Sequence, residues 1–162
     1  MELPLYELGI RLDKLYLLRR VAVNHGAVEG DLYMGQLPIL DYIIEHPGCT
    51  QKEVADYLQV TPASIALSTK RLQQAGLIQK EVDRENLRRN KLTVTDRGVA
   101  AKERFRVLMD SLDQKLFQDF SQEELAALKG LLDRMLNNIS GGRHRSFSRQ
   151  EMFRLERRAK CE

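Results

Sequence analysis

The stretch "TQKEVADYLQVTPASIALSTKRLQQAGLIQKEVDRENLRRNKLTVTDRG", residues 50–98, contains the signals that predict the fold. Thr50 and Glu53 form a capping-box pattern, in which each side chain satisfies a backbone amide at the start of a helix. A second helix is predicted over 62–75, with Thr61 as its N-cap and Pro62 at the first helical position, where a missing amide costs nothing. Two short helices joined by so tight a turn predict a helix-turn-helix.

A β-hairpin is predicted directly after the second helix. Residues 77–82, "LIQKEV", and 91–94, "KLTV", are strand-like, and the polar segment between them is typical of a hairpin tip. That tip contains "RENLRRN", residues 84–90, with three arginines in seven positions. A hairpin behind a helix-turn-helix makes a winged helix, and an arginine-rich tip suits DNA phosphates or the adjacent minor groove. We therefore predict a DNA-binding wing.

Long amphipathic helices flank this region on both sides. We predict a first helix over 5–24, a second from about Tyr33 to Glu45, a long linking helix over 96–118 and a last helix over 121–140. The apolar stripes of the first and last helices predict a helical interface between two copies of the chain. The positions expected in that interface are Leu8, Leu12, Leu15, Leu125, Leu128, Leu132, Met135 and Ile139.

Charge is distributed unevenly along the chain. The net charge is +3, but residues 61–97 carry eight Lys/Arg against four Asp/Glu, and residues 141–162 carry seven against three. Each segment is therefore +4, and the rest of the chain is −5. Basic and acidic regions separated in this way indicate a polyanionic partner. The basic extension 141–162 also contains a capping pattern at Ser148 and Glu151, which predicts a short helix.

Several classes of function lack their sequence signals. The chain has no phosphate-binding glycine loop, no metalloprotease helix motif and no nucleophile elbow, so we expect no enzyme activity and no cofactor. No apolar run is long enough to cross a bilayer, and the N-terminus lacks the order of a secretion signal, so we expect a cytoplasmic protein. Cys49 and Cys161 have no paired spacing, and no His/Cys set predicts a metal site.

Over residues 5–140 the sequence resembles the MarR family of transcription regulators. The capped helix, "L-x-x-x-G-L-I" at its exit and "L-T-x-x-G" after the wing occur here in the family's order. The resemblance implies a mainly α fold with a small two- or three-stranded β-wing, residues 1–140 as one domain and 33–97 as its winged helix-turn-helix. It further implies a homodimer on a pseudo-palindromic operator in double-stranded DNA, most often a repressor, released by a small aromatic or other effector or by oxidation.

The resemblance also points to individual DNA-binding residues. The family's Asp-x-Arg at the wing corresponds to Asn86, Leu87 and Arg88, so Arg88 is the expected minor-groove residue. Where members commonly have Ser or Thr and then Arg in the recognition helix, this chain has Ala66 and Leu67, which suit thymine methyl groups better than hydrogen bonding. Thr69 is a further candidate. The residues predicted to contact DNA are Thr61, Pro62, Ala63, Ser64, Leu67, Ser68, Lys70, Arg71, Arg84, Arg88 and Arg89.

Three other interpretations follow from the sequence. The apolar middle of the recognition helix is compatible with a winged-helix scaffold that binds a protein and has lost specific DNA binding. Cys49, close to Lys52 and a helix start, allows a thiol-based redox-sensing regulator. An effector pocket, implied by the family resemblance, would draw its lining from Tyr16, Arg19, Tyr33 and Tyr42.

Overall fold

The computed structural model describes residues 4–28, 32–82 and 90–142. These residues form a mainly helical protein with one small antiparallel sheet, as predicted. The elements in chain order are α1 (Leu5–Val28), a 3-10 turn (Met34–Gln36), α2 (Leu37–Glu45), α3 (Gln51–Leu58), α4 (Pro62–Gln74), β1 (Ile78–Val82), β2 (Asn90–Val94), α5 (Asp96–Leu116) and α6 (Gln122–Ser140).

The helix-turn-helix consists of α3 and α4, and both predicted caps are present. The Thr50 side chain accepts a hydrogen bond from the Glu53 amide, while the Glu53 carboxylate accepts one from the Thr50 amide. Thr61 accepts from the Ser64 amide at the start of α4. Gly76, with φ +69°, follows α4 in the left-handed region that favours glycine and turns the chain into β1. These local signals fix where the two helices begin and where the chain leaves α4 for the hairpin.

The hairpin has five pairs in register, from Ile78 opposite Val94 to Val82 opposite Asn90. A further bridge joins Cys49, in the turn before α3, to Leu92 in β2. The Leu92 amide donates to the Cys49 carbonyl and the Gly48 amide donates to the Leu92 carbonyl, each over 2.8 Å. Among the described residues the sheet thus has two strands and one isolated bridge, within the two or three strands that the family resemblance implies.

One hydrophobic core joins the winged helix to the middle of α5. Side chains from α2, α3, α4 and the hairpin pack together, and α5 adds Ala101, Phe105 and Met109. The largest fully buried apolar side chains are Val23, Leu32, Leu40, Ile43, Val54, Ile65, Leu72, Leu77 and Leu92. Of these only Val23 lies on α1, so the two terminal helices contribute little to the core within one chain.

Helix α1 runs through Gly26 to Val28, so the predicted end near Asn24 was wrong. An added Cβ at Gly26 would overlap the Leu108 side chain of α5. The glycine therefore permits close packing of two helices instead of breaking one, and tertiary contact outweighs its low helix propensity. The second predicted helix also begins later than Tyr33, because a 3-10 turn precedes α2. The predicted helix in 141–162 falls on residues of which 143–162 lie outside the described chain.

The terminal helices expose most of their apolar side chains. No residue of α6 is buried, although Leu131, Leu132, Met135 and Leu136 occupy one face of it. On α1, Leu8, Leu12 and Leu15 are each more than 40% exposed. In the part of the chain that the structure describes, no helix is long and apolar enough to cross a membrane.

Candidate nucleic-acid interface

Helix α4 has one buried face and one open face. Ile65, Thr69 and Leu72 are its buried residues, a spacing of four and three that fixes its rotation against the core. The exposed residues include most of those predicted to contact DNA, namely Thr61, Pro62, Ala63, Ser64, Leu67, Lys70 and Arg71. A single exposed helix face is therefore available to a major groove, whose width admits one α-helix.

The N-terminus of α4 lies at the beginning of this face. Pro62 occupies the first turn, and Thr61 Oγ1 lies 2.9 Å from Ser64 Oγ as well as accepting from the Ser64 amide. The positive end of the helix dipole and the remaining free amides favour an anion here. Lys70 and Arg71 are exposed on the later turns of the same face. The face is thus electropositive along its length.

Thr69 does not belong to the exposed face, so the expectation that it contacts DNA was wrong. It is 2% exposed, and its hydroxyl donates to the Ile65 carbonyl over 2.8 Å and accepts from the Gln51 side chain over 2.5 Å. A threonine inside a helix commonly donates to the carbonyl four residues earlier, and that rule could have identified its role. Gln51, which sequence reasoning missed, therefore ties the start of α3 to the middle of α4. Ser68 is half-buried beside it.

The wing is described as far as its paired ends. Val82 and Asn90 lie opposite one another, and Arg84, Arg88 and Arg89 belong to residues 83–89, which are outside the described chain. Lys80 is exposed on β1, in the same hairpin as these arginines. The connection of the hairpin to Cys49 and to α4 fixes the base of the wing beside the recognition helix.

The surroundings of Cys49 oppose a redox role. Its side chain is 7% exposed, and burial, reinforced by the Glu53 carboxylate, raises the pKa of the thiol to about 11. The reactive thiolate is therefore scarce near neutral pH, whereas redox-sensing cysteines have lowered pKa values and open access.

Tyr42 stacks on His46 at 4.2 Å between ring centroids and packs against Tyr57. Within residues 4–28, 32–82 and 90–142 no group of three or more metal-binding side chains occurs.

A cavity of about 780 Å³ lies between α1, α2 and α5. Apolar side chains from α2 and α5, including Ile44, Phe105 and Met109, form part of its wall. Of the predicted lining residues, Arg19 borders it, whereas Tyr16, Tyr33 and Tyr42 do not. Sequence reasoning had no signal for the α5 residues, because Phe105 and Met109 are buried like ordinary core residues and Val99 is a single exposed apolar side chain. The described residues that line it are Arg19, Leu37, Asp41, Ile44, Val99, Lys102, Glu103, Phe105, Arg106, Met109, Asp110 and Asp113.

Two ion pairs between helices form part of the cavity lining. Arg19 of α1 contacts Asp113 of α5 at 2.7 Å, and Lys102 of α5 contacts Asp41 of α2 at 2.6 Å. Asp41 Oδ1 is shielded from water and, among the described residues, has no hydrogen bond of good geometry despite the nearby ammonium. On the rim, a hydrogen bond from Arg106 lowers the pKa of the Glu103 carboxyl. The cavity therefore combines apolar walls with charges that connect three helices.

The MarR family profile matches residues 31–89. The chain is 31% identical over 109 residues to the uncharacterized HTH-type transcriptional regulator YybA of Bacillus subtilis (strain 168), covering 67% of this chain and 73% of that protein. The chain belongs to the MarR family. It is also 29% identical over 102 residues to the HTH-type transcriptional regulator BilQ of Clostridium symbiosum (strain WAL-14163), covering 63% of this chain and 71% of BilQ. The family and these relatives identify the chain as a DNA-binding transcriptional regulator.

Solved MarR-family structures agree with this fold. A single-residue mutant of MepR from S. aureus, bound to an oligodeoxyribonucleotide, superposes with a TM-score of 0.64 at 26% identity, covering 85% of this chain and 99% of MepR. The MarR-family winged helix of this chain therefore has the elements and order found in a DNA-bound relative.

Proposed function

We propose that this MarR-family chain is a repressor that binds a pseudo-palindromic operator as a homodimer and is released by a small-molecule effector. The observation that carries the proposal is the open face of α4, which is electropositive at its N-terminus and along Lys70 and Arg71 while its other face is fully packed. Such a helix matches the major groove in size and charge.

We infer two-fold symmetry from the exposed apolar faces of the terminal helices. No residue of α6 is buried among the described residues, and α1 exposes leucines on one face, so both helices leave apolar area open within residues 4–28, 32–82 and 90–142. Monomeric proteins rarely leave apolar patches of this kind open, and a second copy supplies a matching surface. A dimer would place two α4 helices in successive major grooves, roughly 34 Å apart.

Within each half-site we assign α4 to the major groove and the wing to the adjacent minor groove. The proposed contacts on α4 are those of its exposed face together with the half-buried Ser68. The wing contributes Arg84, Arg88 and Arg89, and Arg88 is the expected minor-groove residue by its family position. Support for DNA as the partner comes from the MepR mutant that is bound to an oligodeoxyribonucleotide.

Selection of genomic fragments by the purified protein at near-physiological salt tests specific binding. We expect recovery of one shared inverted repeat, with affinity that falls steeply as salt rises because counterions are released from the phosphates. Arg88→Ala should weaken binding to the recovered repeat by about tenfold or more, the scale of one charged hydrogen bond. The measurement is a titration of labelled operator by fluorescence anisotropy.

Arg104→Ala is the matched control, since Arg104 is an exposed arginine of α5 outside the winged helix. It should leave operator affinity unchanged. Equal affinities for wild type and Arg88→Ala would reject the wing assignment. Random fragments, or none, would instead favour a winged-helix scaffold that binds a protein through Ala63–Leu67, an alternative favoured by the exposure of Leu67.

The effector site is assigned to the cavity between α1, α2 and α5. A ligand there would pack an apolar body against Phe105 and Met109 and place its polar group beside the ion pair of Lys102 with Asp41. Because the ion pairs of α5 with Arg19 and Asp41 bridge the terminal and winged-helix parts, a ligand that displaces one of them changes how those parts are joined.

Filling the cavity tests this assignment. In a thermal-shift panel of small aromatic acids, phenols and amines, we expect at least one compound to raise the Tm of the wild-type protein and to release operator DNA. Val99→Trp should lose both responses, because Val99 lines the cavity. Val107→Trp adds the same ring to the same helix outside the cavity lining and should retain them. Equal responses in the two variants would place the effector elsewhere.

A further inference from the structure

Leu67 is an apolar side chain on the open face of the recognition helix. It is 53% exposed, whereas the other large apolar residues of α4, Ile65 and Leu72, are at most 1% exposed. Its exposure is therefore not a result of loose packing, since the helix is firmly fixed on its other side. A leucine left in water at the centre of a DNA-binding face is available for contact with an apolar group.

The neighbours of Leu67 on the helix surface lie three and four residues away. Towards the N-terminus they are Ala63 and Ser64, and towards the C-terminus they are Lys70 and Arg71. Ser64 Oγ already lies 2.9 Å from Thr61 Oγ1. The middle of the face thus places the apolar side chains of Ala63 and Leu67 next to two cations. This arrangement suits a DNA site in which phosphates lie beside one apolar group on a base.

Thymine is the base that presents an apolar group, its 5-methyl, on the major-groove edge. A leucine facing another base would desolvate a donor or acceptor without replacing its hydrogen bond. On the basis of the proposed operator binding, we propose that Leu67 determines specificity by packing against the 5-methyl group of one thymine in each half-site. The same contact would favour 5-methylcytosine over cytosine at that position.

The expected size of the effect follows from the burial of one methyl group. Removing it should weaken binding about fourfold per half-site, the equivalent of about 0.8 kcal/mol. Substitution in both half-sites of a symmetric operator should weaken binding about fifteenfold, if the two contacts add.

Deoxyuridine tests the contact directly, because it removes the methyl group of thymine and leaves the Watson–Crick face intact. Each symmetry-related pair of thymines in the selected operator is replaced in turn, and affinity is measured by anisotropy for wild type and Leu67→Ala. We expect one pair at which deoxyuridine weakens the wild-type protein about fifteenfold but leaves Leu67→Ala unaffected. Leu67→Met, which keeps an apolar side chain, should retain most of the wild-type response.

A second readout uses cytosine derivatives at the same pair. Wild type should bind an operator with 5-methylcytosine about fourfold more tightly per half-site than one with cytosine, and Leu67→Ala should not distinguish the two. Val107→Ala, which shortens an exposed aliphatic side chain of α5, should behave as wild type in both assays. Circular dichroism of Leu67→Ala checks that the fold is intact, as expected for an exposed helical position.

The outcomes separate this inference from the proposed function. A selected operator at which no thymine responds to deoxyuridine, or responds equally in wild type and Leu67→Ala, would overturn the role of Leu67 and leave the regulator intact. Failure of the wild-type protein to select any sequence would overturn the proposed function, and the role of Leu67 with it. Capture of a protein partner that depends on Leu67 in that case would identify α4 as a protein-binding face.

Discussion

Leu132→Glu is expected to convert the proposed dimer into monomers and to abolish tight operator binding. Leu132 is 38% exposed on α6, a helix that has no buried residue in the part of the chain that the structure describes. In a two-fold interface each substitution acts twice, and each glutamate both removes the remaining apolar contact of the leucine and buries a carboxylate without a partner, at a few kcal/mol per dimer. The association constant should therefore fall by two to four powers of ten, at about 3–6 kcal/mol per dimer. Sedimentation equilibrium measures it.

Operator affinity should fall with the dimer, because two linked half-sites bind far more tightly than two separate ones. Ala126→Glu is the matched control, since it adds the same carboxylate to the opposite, exposed face of α6. It should leave both the dimer and operator affinity unchanged. A Leu132→Glu protein that sediments as a dimer and binds the operator normally would show that α6 does not form the interface.

Gly98→Ala is expected to destabilise the fold severely. Gly98 is buried in the first turn of α5, and an added Cβ would overlap the carbonyl oxygen of Leu77 and lie 2.7 Å from Val94 Cγ2. That carbonyl also accepts a hydrogen bond from the Thr95 amide at 3.1 Å, so it cannot move without loss. Overpacking against backbone should lower the free energy of unfolding by about 3 kcal/mol or more.

Urea denaturation followed by circular dichroism measures this loss, at a protein concentration that keeps the oligomeric state constant. Gly35→Ala is the control, because Gly35 lies in a short helical turn with open space around its Cα. It should change the free energy of unfolding by no more than about 1 kcal/mol. Equal urea midpoints for Gly98→Ala and wild type would contradict the close approach of α5 to Leu77.

Local signals made the winged helix predictable from sequence. Thr50 with Glu53 and Thr61 with Pro62 act within one turn of helix, so residue identity alone places the starts of α3 and α4. The strands were predicted to within one residue at each end that the structure describes. In contrast, the end of α1 depends on Gly26 meeting Leu108, a contact between distant positions that no short pattern contains.

The candidate site was predictable in type more than in detail. The open face of α4 follows from helical periodicity, and the same periodicity places Thr69 with Ile65 and Leu72 on the buried face; only its hydrogen bond with Gln51 could not be known from spacing. The cavity was unpredictable for a different reason. Its walls come from core-like residues of α5, and only three-dimensional packing leaves a gap among them. The roles of Arg84, Arg88 and Arg89 remain predictions from sequence.

The paired hydrogen bonds between the turn at Gly48 and Cys49 and the strand at Leu92 join the base of the wing to the turn that precedes α3. In the proposed dimer, each winged helix would therefore move as one unit with the base of its wing. Only the separation and relative rotation of the two winged helices would then change. Two successive major grooves accept only a separation that matches the DNA helical repeat. A small rotation of α5 at its ion pairs would therefore alter that separation and release both recognition helices without deforming either winged helix.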